Sequence, residues 1–279
     1  MQWEHTLSEA ISTGAAHVSV YDLQVEAGTA FGRWYAPGES PLPEDGTCAD
    51  MYRTASRVLG GAGFEHYEIS NYARPGFQSR HNRAYWENVP FLAFGNGAAS
   101  YVDGRRFSRP RRLPEYETWV DELAAVGWAE ATATAAEASS PRGGGGGDTE
   151  GLSDEALERD ALFDDVMLGF RLKEGLDLDT LASKYGARAA RNVEEGAAEG
   201  VGRGWVLRDH GDGGAADRVS ASARKTSCEG EDGGGEEGLS PEALMKRGRI
   251  RLSDPDGFLF SNSVISSVFC ELDGWQRDP

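Results

Sequence analysis

The residues of this sequence with the clearest chemistry lie in one short stretch, HNRAYW, in which His81 and Asn82 precede Tyr85 and Trp86. Imidazole ligates metals, and it is a common axial ligand of heme iron. Two large aromatic side chains can form flat apolar walls, and an amide such as Asn82 can orient the imidazole or bind a ligand edge. The stretch therefore predicts a flat organic ligand with a metal held by His81. The alternative is an ordinary hydrogen-bonded histidine in a loop.

A glycine-rich turn, GNGAAS, follows nine residues after the aromatic pair. Gly95 and Gly97 have no side chains, so backbone amides there can approach a ligand closely. Together with Ser100 they are predicted to contact a cofactor. The alternative is a tight turn without a ligand, and the turn does not open a clear helix, so a dinucleotide fingerprint is not expected.

Five arginines occupy eight residues in RRFSRPRR, residues 105–112. The simpler interpretation is a solvated loop. The second is a clamp for carboxylates, because the planar guanidinium group pairs with a carboxylate through two parallel hydrogen bonds.

Composition limits the classes of function. The 279 residues argue for about two domains, and a net charge of −18 argues against nucleic acid as a partner. No apolar run approaches the roughly 18 residues that span a bilayer, and no signal peptide is visible at the start. The three cysteines, Cys48, Cys228 and Cys270, are too few and too far apart for a disulfide framework or a CxxC site. A reducing compartment is expected, either the cytoplasm or the matrix of a mitochondrion or chloroplast.

The predicted helices and strands of the first half of the chain alternate in an α/β pattern. Strand, helix and strand follow one another, which predicts a parallel sheet. The predicted elements are a helix at 2–13, a buried strand at 17–26, a helix from about 43 to 61, a strand at 64–70, a turn and strand within 91–102, and a helix after Pro114.

Residues 131–151 are rich in alanine and glycine and are predicted to be a linker between domains at 1–130 and 152–279. The second domain opens with a helix whose apolar face is Leu162, Phe163, Val166, Met167 and Phe170. Helices at 176–186 and 187–199, a hairpin of 204–209 with 248–254, and a helix at 257–269 complete a winged-helix-like domain. A Gly/Glu/Ser-rich insert, about 210–245, is predicted to be disordered. Because this domain is acidic, a packing or substrate-covering role is favoured over DNA binding.

Several stretches together resemble one family. They are HVSVYDLQVEAGTAFGRWY, GFEHYEISNYARPG, HNRAYW, FGNGAASYVDGRRFSRP and VMLGFRLKEGLDL. The chain resembles the HemW group of heme chaperones, in the radical S-adenosylmethionine superfamily and similar to oxygen-independent coproporphyrinogen III oxidase. The resemblance covers nearly all of 1–131, 152–209 and 246–272.

The resemblance implies an α/β fold: the C-terminal part of an incomplete (β/α)6 barrel, followed by the helical winged-helix-like domain. Within the barrel, 17–26 would be the last strand and 2–13 the helix before it. Family members hold a 4Fe-4S cluster and S-adenosylmethionine through a CxxxCxxC motif. None of the three cysteines here has that spacing, so this chain is expected to be a C-terminal portion without cluster ligands.

The resemblance also implies a ligand. The HNxxYW block is associated with heme binding in the family, and it maps onto His81, Asn82, Tyr85 and Trp86. The first hypothesis is therefore a heme-binding protein that delivers heme to an acceptor protein. The second is part of a coproporphyrinogen oxidase, inactive by itself, in which the arginines hold propionates. The third is a non-functional fragment.

Overall fold

The computed structural model describes residues 2–102, 105–126, 154–209 and 248–277. They form two compact units, of which the first comprises residues 1–78 and 169–279 and the second residues 79–168. These limits do not coincide with the predicted domain boundaries at 130 and 152. The predicted linker, 131–151, and the predicted disordered insert, 210–245, lie outside the described residues.

The first 78 residues build helices on a small sheet. The elements are α1 (Gln2–Ser12), β1 (His17–Ser19), α2 (Ala30–Trp34), α3 (Asp45–Gly61), β2 (Glu65–Glu68) and β3 (Asn71–Ala73). The helices predicted at 2–13 and 43–61 are confirmed as α1 and α3. Their apolar faces meet in a core of Leu7, Ala55, Leu59, Phe64 and Tyr72.

The prediction of a parallel sheet is wrong for every pair of neighbouring strands here. The order is β1-β3-β2, and β3 is antiparallel to both neighbours. The single strand predicted at 64–70 ends at Glu68, and the chain reverses before Asn71. Polar contacts hold this reversal, because Glu68 accepts hydrogen bonds from the Ser70 amide and the Asn71 side chain.

The prediction of a buried strand over residues 17–26 is also wrong. Only His17 to Ser19 pair with β3, and one further bond joins the Val20 amide to the Ser70 carbonyl. No residue of this segment is buried, and Tyr21 is 71% exposed. Aromatic and β-branched residues favour extended backbone, but burial also needs neighbouring elements, and β1 is the edge of the described sheet.

The second unit surrounds a hairpin. Its elements are α4 (Arg80–Trp86), β4 (Ala99–Val102), β5 (Arg105–Ser108), α5 (Leu113–Val126) and α6 (Asp154–Gly169). The predicted helix after Pro114 is confirmed as α5. On α6, Leu162 and Val166 of the predicted apolar face are fully buried.

Two segments of this unit differ from the prediction. HNRAYW is a helix and not a loop, because the Ser79 hydroxyl accepts a hydrogen bond from the Asn82 amide and caps α4. Part of the arginine-rich segment, expected to be a loop, forms β5 and pairs with β4 in antiparallel register. The turn and strand predicted within 91–102 are confirmed, with the glycine turn leading into β4, and Phe91 meets Tyr101 as an isolated bridge.

The last part of the first unit packs helices on a second small sheet. Its elements are β6 (Leu176–Asp177), α7 (Leu178–Tyr185), α8 (Ala187–Gly196), α9 (Ala198–Gly202), β7 (Val206–Asp209), β8 (Arg249–Leu252), α10 (Asp256–Leu259) and α11 (Ser261–Leu272). The predicted hairpin is confirmed as the antiparallel pair β7 and β8. Strand β6, which the sequence places in a helix, pairs with the other side of β8.

A buried histidine joins the two parts of the first unit. His66 on β2 is 5% exposed, and its Nδ1 donates to Asp254 Oδ1 at 2.7 Å. Its ring stacks on Tyr72 at 4.0 Å and meets Phe258 edge-on at 4.8 Å. This contact ties the segment after β8 to the sheet, although 188 residues separate the two partners.

Along the chain from Gln2 to Arg277, the described helices include none long and apolar enough to cross a membrane.

Candidate functional site

Helical spacing explains how α4 presents its side chains. Residues four apart lie on the same face of a helix, so His81 stands above Tyr85 and Asn82 above Trp86. His81 is exposed, and its ring meets Tyr85 edge-on with centroids 4.8 Å apart. The HNxxYW spacing therefore gives an imidazole standing on an aromatic ring at the surface.

The aromatic contact continues beyond α4. Tyr85 meets Phe91 edge-on at 4.5 Å, and Phe91 lies 6.4 Å from Tyr101 on β4. Phe91 and Tyr101 also exchange backbone hydrogen bonds of 2.8 and 2.9 Å. We call this series of four rings, from His81 to Tyr101, the aromatic row. It connects the exposed imidazole to the hairpin.

An ion pair lies at the hairpin end of the aromatic row. The Arg106 guanidinium lies 5.3 Å from the centre of the Tyr101 ring and 3.5 Å from an Asp164 carboxylate oxygen on α6. Burial raises the pKa of Asp164, and Arg106 opposes that rise. Arg106 is therefore already engaged by a carboxylate of its own unit.

The His81 imidazole is open to a ligand. Among residues 2–102, 105–126, 154–209 and 248–277, none forms a hydrogen bond or ion pair with its ring. A neutral imidazole nitrogen with an unused lone pair is what heme iron binds. The chemistry of His81 and the half-buried Tyr85 and Trp86 therefore fits a planar iron-bearing ligand. The backbone N–H of Asn82 donates to the Ser79 hydroxyl in the α4 cap.

The glycine turn leads into the hairpin. Gly95 and Gly97 adopt φ of 97° and 71°, values that favour glycine. The Gly97 amide donates to the Pro110 carbonyl at 2.8 Å, and the Ala98 amide to the Gly95 carbonyl. Ser100 is fully buried, and its hydroxyl accepts a bond from the Ala93 amide. These contacts shape the turn, and direct contact of Gly95, Gly97 and Ser100 with a cofactor stays a prediction.

The residues that the sequence interpretation missed are Phe91 and Tyr101. Phe91 and Tyr101 enter the site through the isolated bridge that pairs Phe91 with Tyr101 of β4. An Asp-Gly pair at 103–104, flanked by residues of strand type, is a strong signal of a two-residue hairpin turn. That signal would have predicted the hairpin of β4 and β5 and, with β4, the position of Tyr101.

The cysteines do not fit an iron–sulfur cluster. Cys48 is half-buried on α3, where burial, then Asp22 and Asp45, raise its thiol pKa. Cys270 is exposed on α11, and Cys228 lies outside the described residues. The described part of the chain contains no group of three or more His, Cys, Asp or Glu side chains suited to a metal.

Relatives and one solved structure resemble the chain, although no family model matches it. The heme chaperone HemW of Synechocystis is 33% identical over 273 residues, which cover 97% of this chain and 55% of the relative. HemW of Bacillus subtilis is 31% identical over 66% of this chain and 42% of its own length. The mitochondrial radical S-adenosyl methionine domain-containing protein 1 of Danio rerio is 35% identical over 45% of this chain and 29% of its own.

The solved structure is coproporphyrinogen III oxidase, HemN, from Escherichia coli, a radical SAM enzyme. It matches with a TM-score of 0.56 and 15% identity, covering 95% of this chain and 50% of that one. At this identity the match shows the fold alone, an α/β fold of the radical SAM type. The chain spans about half the length of the relatives that it matches, and it belongs to the HemW-like group of radical SAM proteins.

Proposed function

We propose that this chain binds heme through His81 and holds it for delivery to a heme-accepting protein. The observation that carries the proposal is the exposed imidazole on α4, which no described residue engages and which stands on Tyr85. Tyr85 and Trp86 supply apolar walls for the porphyrin, and the Asn82 side-chain amide orients the imidazole or bonds a ligand edge. The Ser79 cap begins the helix that presents His81. Relatives named heme chaperones support the same ligand.

The proposal includes a wider architecture. Residues 1–130 would be the C-terminal part of an incomplete (β/α)6 barrel, and 152–279 a winged-helix-like domain. The hairpin of β7 and β8, flanked by helices, supports the second assignment. The 4Fe-4S cluster and S-adenosylmethionine belong to the full-length family, and the cluster is not expected on this chain. The mitochondrial relatives and the sparse cysteines favour an organelle matrix or the cytoplasm as the compartment.

Replacing His81 with alanine tests the proposal. Titration of hemin into the wild-type chain is expected to give a Soret band typical of histidine ligation. His81→Ala is expected to lose that band position and to bind at least about tenfold more weakly, a change of about 1.4 kcal/mol. The measurement is the absorption spectrum across the titration. Tyr85→Leu should weaken binding while the ligation spectrum is kept.

The matched control is His5→Ala, since His5 is also exposed on a helix but lies on α1, outside the second unit. It should leave both spectrum and affinity unchanged. A His81→Ala chain with the wild-type spectrum and affinity would show that His81 is not the ligand, and Cys270 or Cys48 would then be tested.

Anaerobic reconstitution with iron and sulfide is expected to leave this chain without a 4Fe-4S cluster. Such a cluster needs about three or four converging thiolates. The three cysteines of this chain lack the CxxxCxxC spacing, and Cys48 and Cys270 lie on separate helices. Iron and sulfide analysis after gel filtration checks this. Four iron atoms retained per chain would contradict it.

A further inference from the structure

The register of the hairpin places Arg106 beside the aromatic row. Arg106 on β5 stands directly opposite Tyr101 on β4, and Phe91 pairs with the same Tyr101 through the isolated bridge. Side chains at directly opposed positions lie on one face of a sheet. Phe91, Tyr101 and Arg106 therefore share one face of the hairpin. The buried pair Ser100 and Phe107 lies on the opposite face.

Short contacts connect the Arg106 guanidinium to the His81 imidazole. Its central carbon lies 5.3 Å from the centre of the Tyr101 ring and 6.0 Å from that of Phe91. Phe91 meets Tyr85 at 4.5 Å, and Tyr85 meets His81 at 4.8 Å. Three steps of 6.0 Å or less thus lead from the guanidinium to the imidazole, all within the second unit.

Both ends of this surface are open to solvent. His81 is exposed, and the side chain of Arg106 is 42% exposed. The rings of Tyr85, Phe91 and Tyr101 between them are half-buried, so each of them presents part of its surface to water. A ligand can therefore approach the imidazole, the rings and the guanidinium directly from solvent.

One carboxylate of the second unit uses only part of the guanidinium. An Asp164 oxygen lies 3.5 Å from an Arg106 nitrogen, longer than the charge-assisted bond of about 2.8 Å. No other carboxylate among the residues that the structure describes lies within 4.0 Å of Arg106. A guanidinium group has five N–H donors. The ion pair with Asp164 therefore holds Arg106 loosely and leaves donors for a second carboxylate.

We propose that Arg106 binds a carboxylate of the tetrapyrrole and that Asp164 competes with this carboxylate in the free chain. The inference rests on the proposed heme binding and deepens it, since it names the ligand group recognised at the hairpin end of the aromatic row. A porphyrin with free propionates has a flat apolar body for the rings and carboxylates at its edge for the guanidinium, which binds them through two parallel bonds. Arg106 thus selects tetrapyrroles with free carboxylates, whereas His81 ligates the iron.

The test compares free acids with their esters on the full chain. Hemin is expected to bind at least about tenfold more tightly than hemin dimethyl ester, a difference of about 1.4 kcal/mol. Protoporphyrin IX, which contains no iron, should show the same preference over its dimethyl ester by quenching of tryptophan fluorescence. Arg106→Met should remove the preference in both pairs and keep the histidine-type Soret position of hemin. Arg112→Met, which removes an exposed arginine of the same segment, is the control and should retain the preference.

Asp164→Asn tests the competition. Asparagine keeps the size of the side chain but removes its charge, so the free acids should bind about threefold more tightly, the scale of one partly exposed ion pair, while the esters are unaffected. Glu117→Gln removes one negative charge from an exposed position on α5 and is the control for net charge. It should leave the ratio of acid to ester affinity unchanged. Equal ratios in Asp164→Asn and the wild type would overturn the competition.

The outcomes separate this proposal from heme ligation. Equal affinity for hemin and its ester in the wild-type chain overturns the anchor at Arg106, even when His81-dependent binding is intact. A preference for acids that persists in Arg106→Met overturns it as well. A preference that Arg106→Met removes, without any dependence of the spectrum on His81, upholds the anchor and overturns heme ligation. Absence of binding by all four tetrapyrroles overturns both. Should Arg106→Met fail to fold, Arg106→Lys, which keeps the charge but loses the planar fork, should reduce the preference.

Discussion

His66→Ala is expected to lower the free energy of unfolding of the first unit by about 3 kcal/mol. Removing a buried aromatic-sized side chain costs about 3–5 kcal/mol, and His66 is stacked between Tyr72 and Phe258. The loss of its bond to Asp254 adds little, because the Asp254 side chain is 41% exposed and water can replace the partner. The midpoint of urea unfolding, followed by circular dichroism, measures the change.

His66→Phe separates packing from the polar contacts. Phenylalanine keeps the stacked ring but cannot bond to Asp254 or to the Ile69 carbonyl, which lies 3.1 Å from Nε2. The free energy of unfolding of His66→Phe is expected to lie between those of the wild type and His66→Ala. A His66→Ala chain as stable as the wild type would contradict the role of this contact in joining the two parts of the unit.

The same contact predicts a pH dependence. Burial by itself would raise the pKa of Asp254, but the hydrogen bond and charge of His66, with a further bond from Ser56, hold that pKa below its ordinary value. A carboxyl whose pKa is lowered by folding stabilises the fold above its unfolded pKa of about 3.9. That contribution is lost as the pH falls through the lower folded pKa. His66→Phe should therefore lose less stability than the wild type over this acid range.

Gly175→Ala is expected to destabilise the first unit by about 4 kcal/mol. Gly175 has a φ of 65°, which costs an L-residue about 1 kcal/mol. An added Cβ would also lie 2.2 Å from the Ile250 carbonyl oxygen on β8, and backbone there cannot yield without breaking the pairing of β6. The shift of the urea midpoint and the loss of expression as folded protein measure the effect.

Gly274→Ala is the matched control for the backbone strain alone. Gly274 has a φ of 78°, but nothing lies within 4 Å of the added Cβ. Its substitution should cost only about 1 kcal/mol. If Gly175→Ala and Gly274→Ala lowered the free energy of unfolding equally, the collision of the added Cβ with β8 would contribute nothing to the cost.

The helices and the separate fragments of the site follow from local sequence. Apolar spacing and the Gly60-Gly61 pair predicted α3, and Pro114 predicted the start of α5, because periodicity and capping act within a few residues. The HNxxYW block identified His81 and Tyr85, and its spacing of four would have placed them on one helical face had the Ser79 cap been considered.

The strand predictions were less successful because pairing partners lie far apart in the chain. The sequence of 17–26 favours extended backbone, yet only three of its residues find a partner, in β3. The reversal between Glu68 and Asn71 depends on polar contacts that no alternation of apolar residues reveals. Sheet direction was therefore decided by tertiary contacts and not by local propensity.

The sequence by itself determined the family resemblance, the acidic charge, the lack of cluster-type cysteine spacing and the residues of the HNxxYW block. Only the tertiary structure decided that His81 is exposed and forms no hydrogen bond with a described residue, whereas His66 is buried and bonded to Asp254, although both are histidines beside aromatic residues. It also distinguished the buried Arg109, which has no carboxylate partner in the described part of the chain, from Arg106, which pairs with Asp164. The physical reason is that burial and charge pairing depend on which distant segments pack against a side chain, and residue type and spacing do not contain that information.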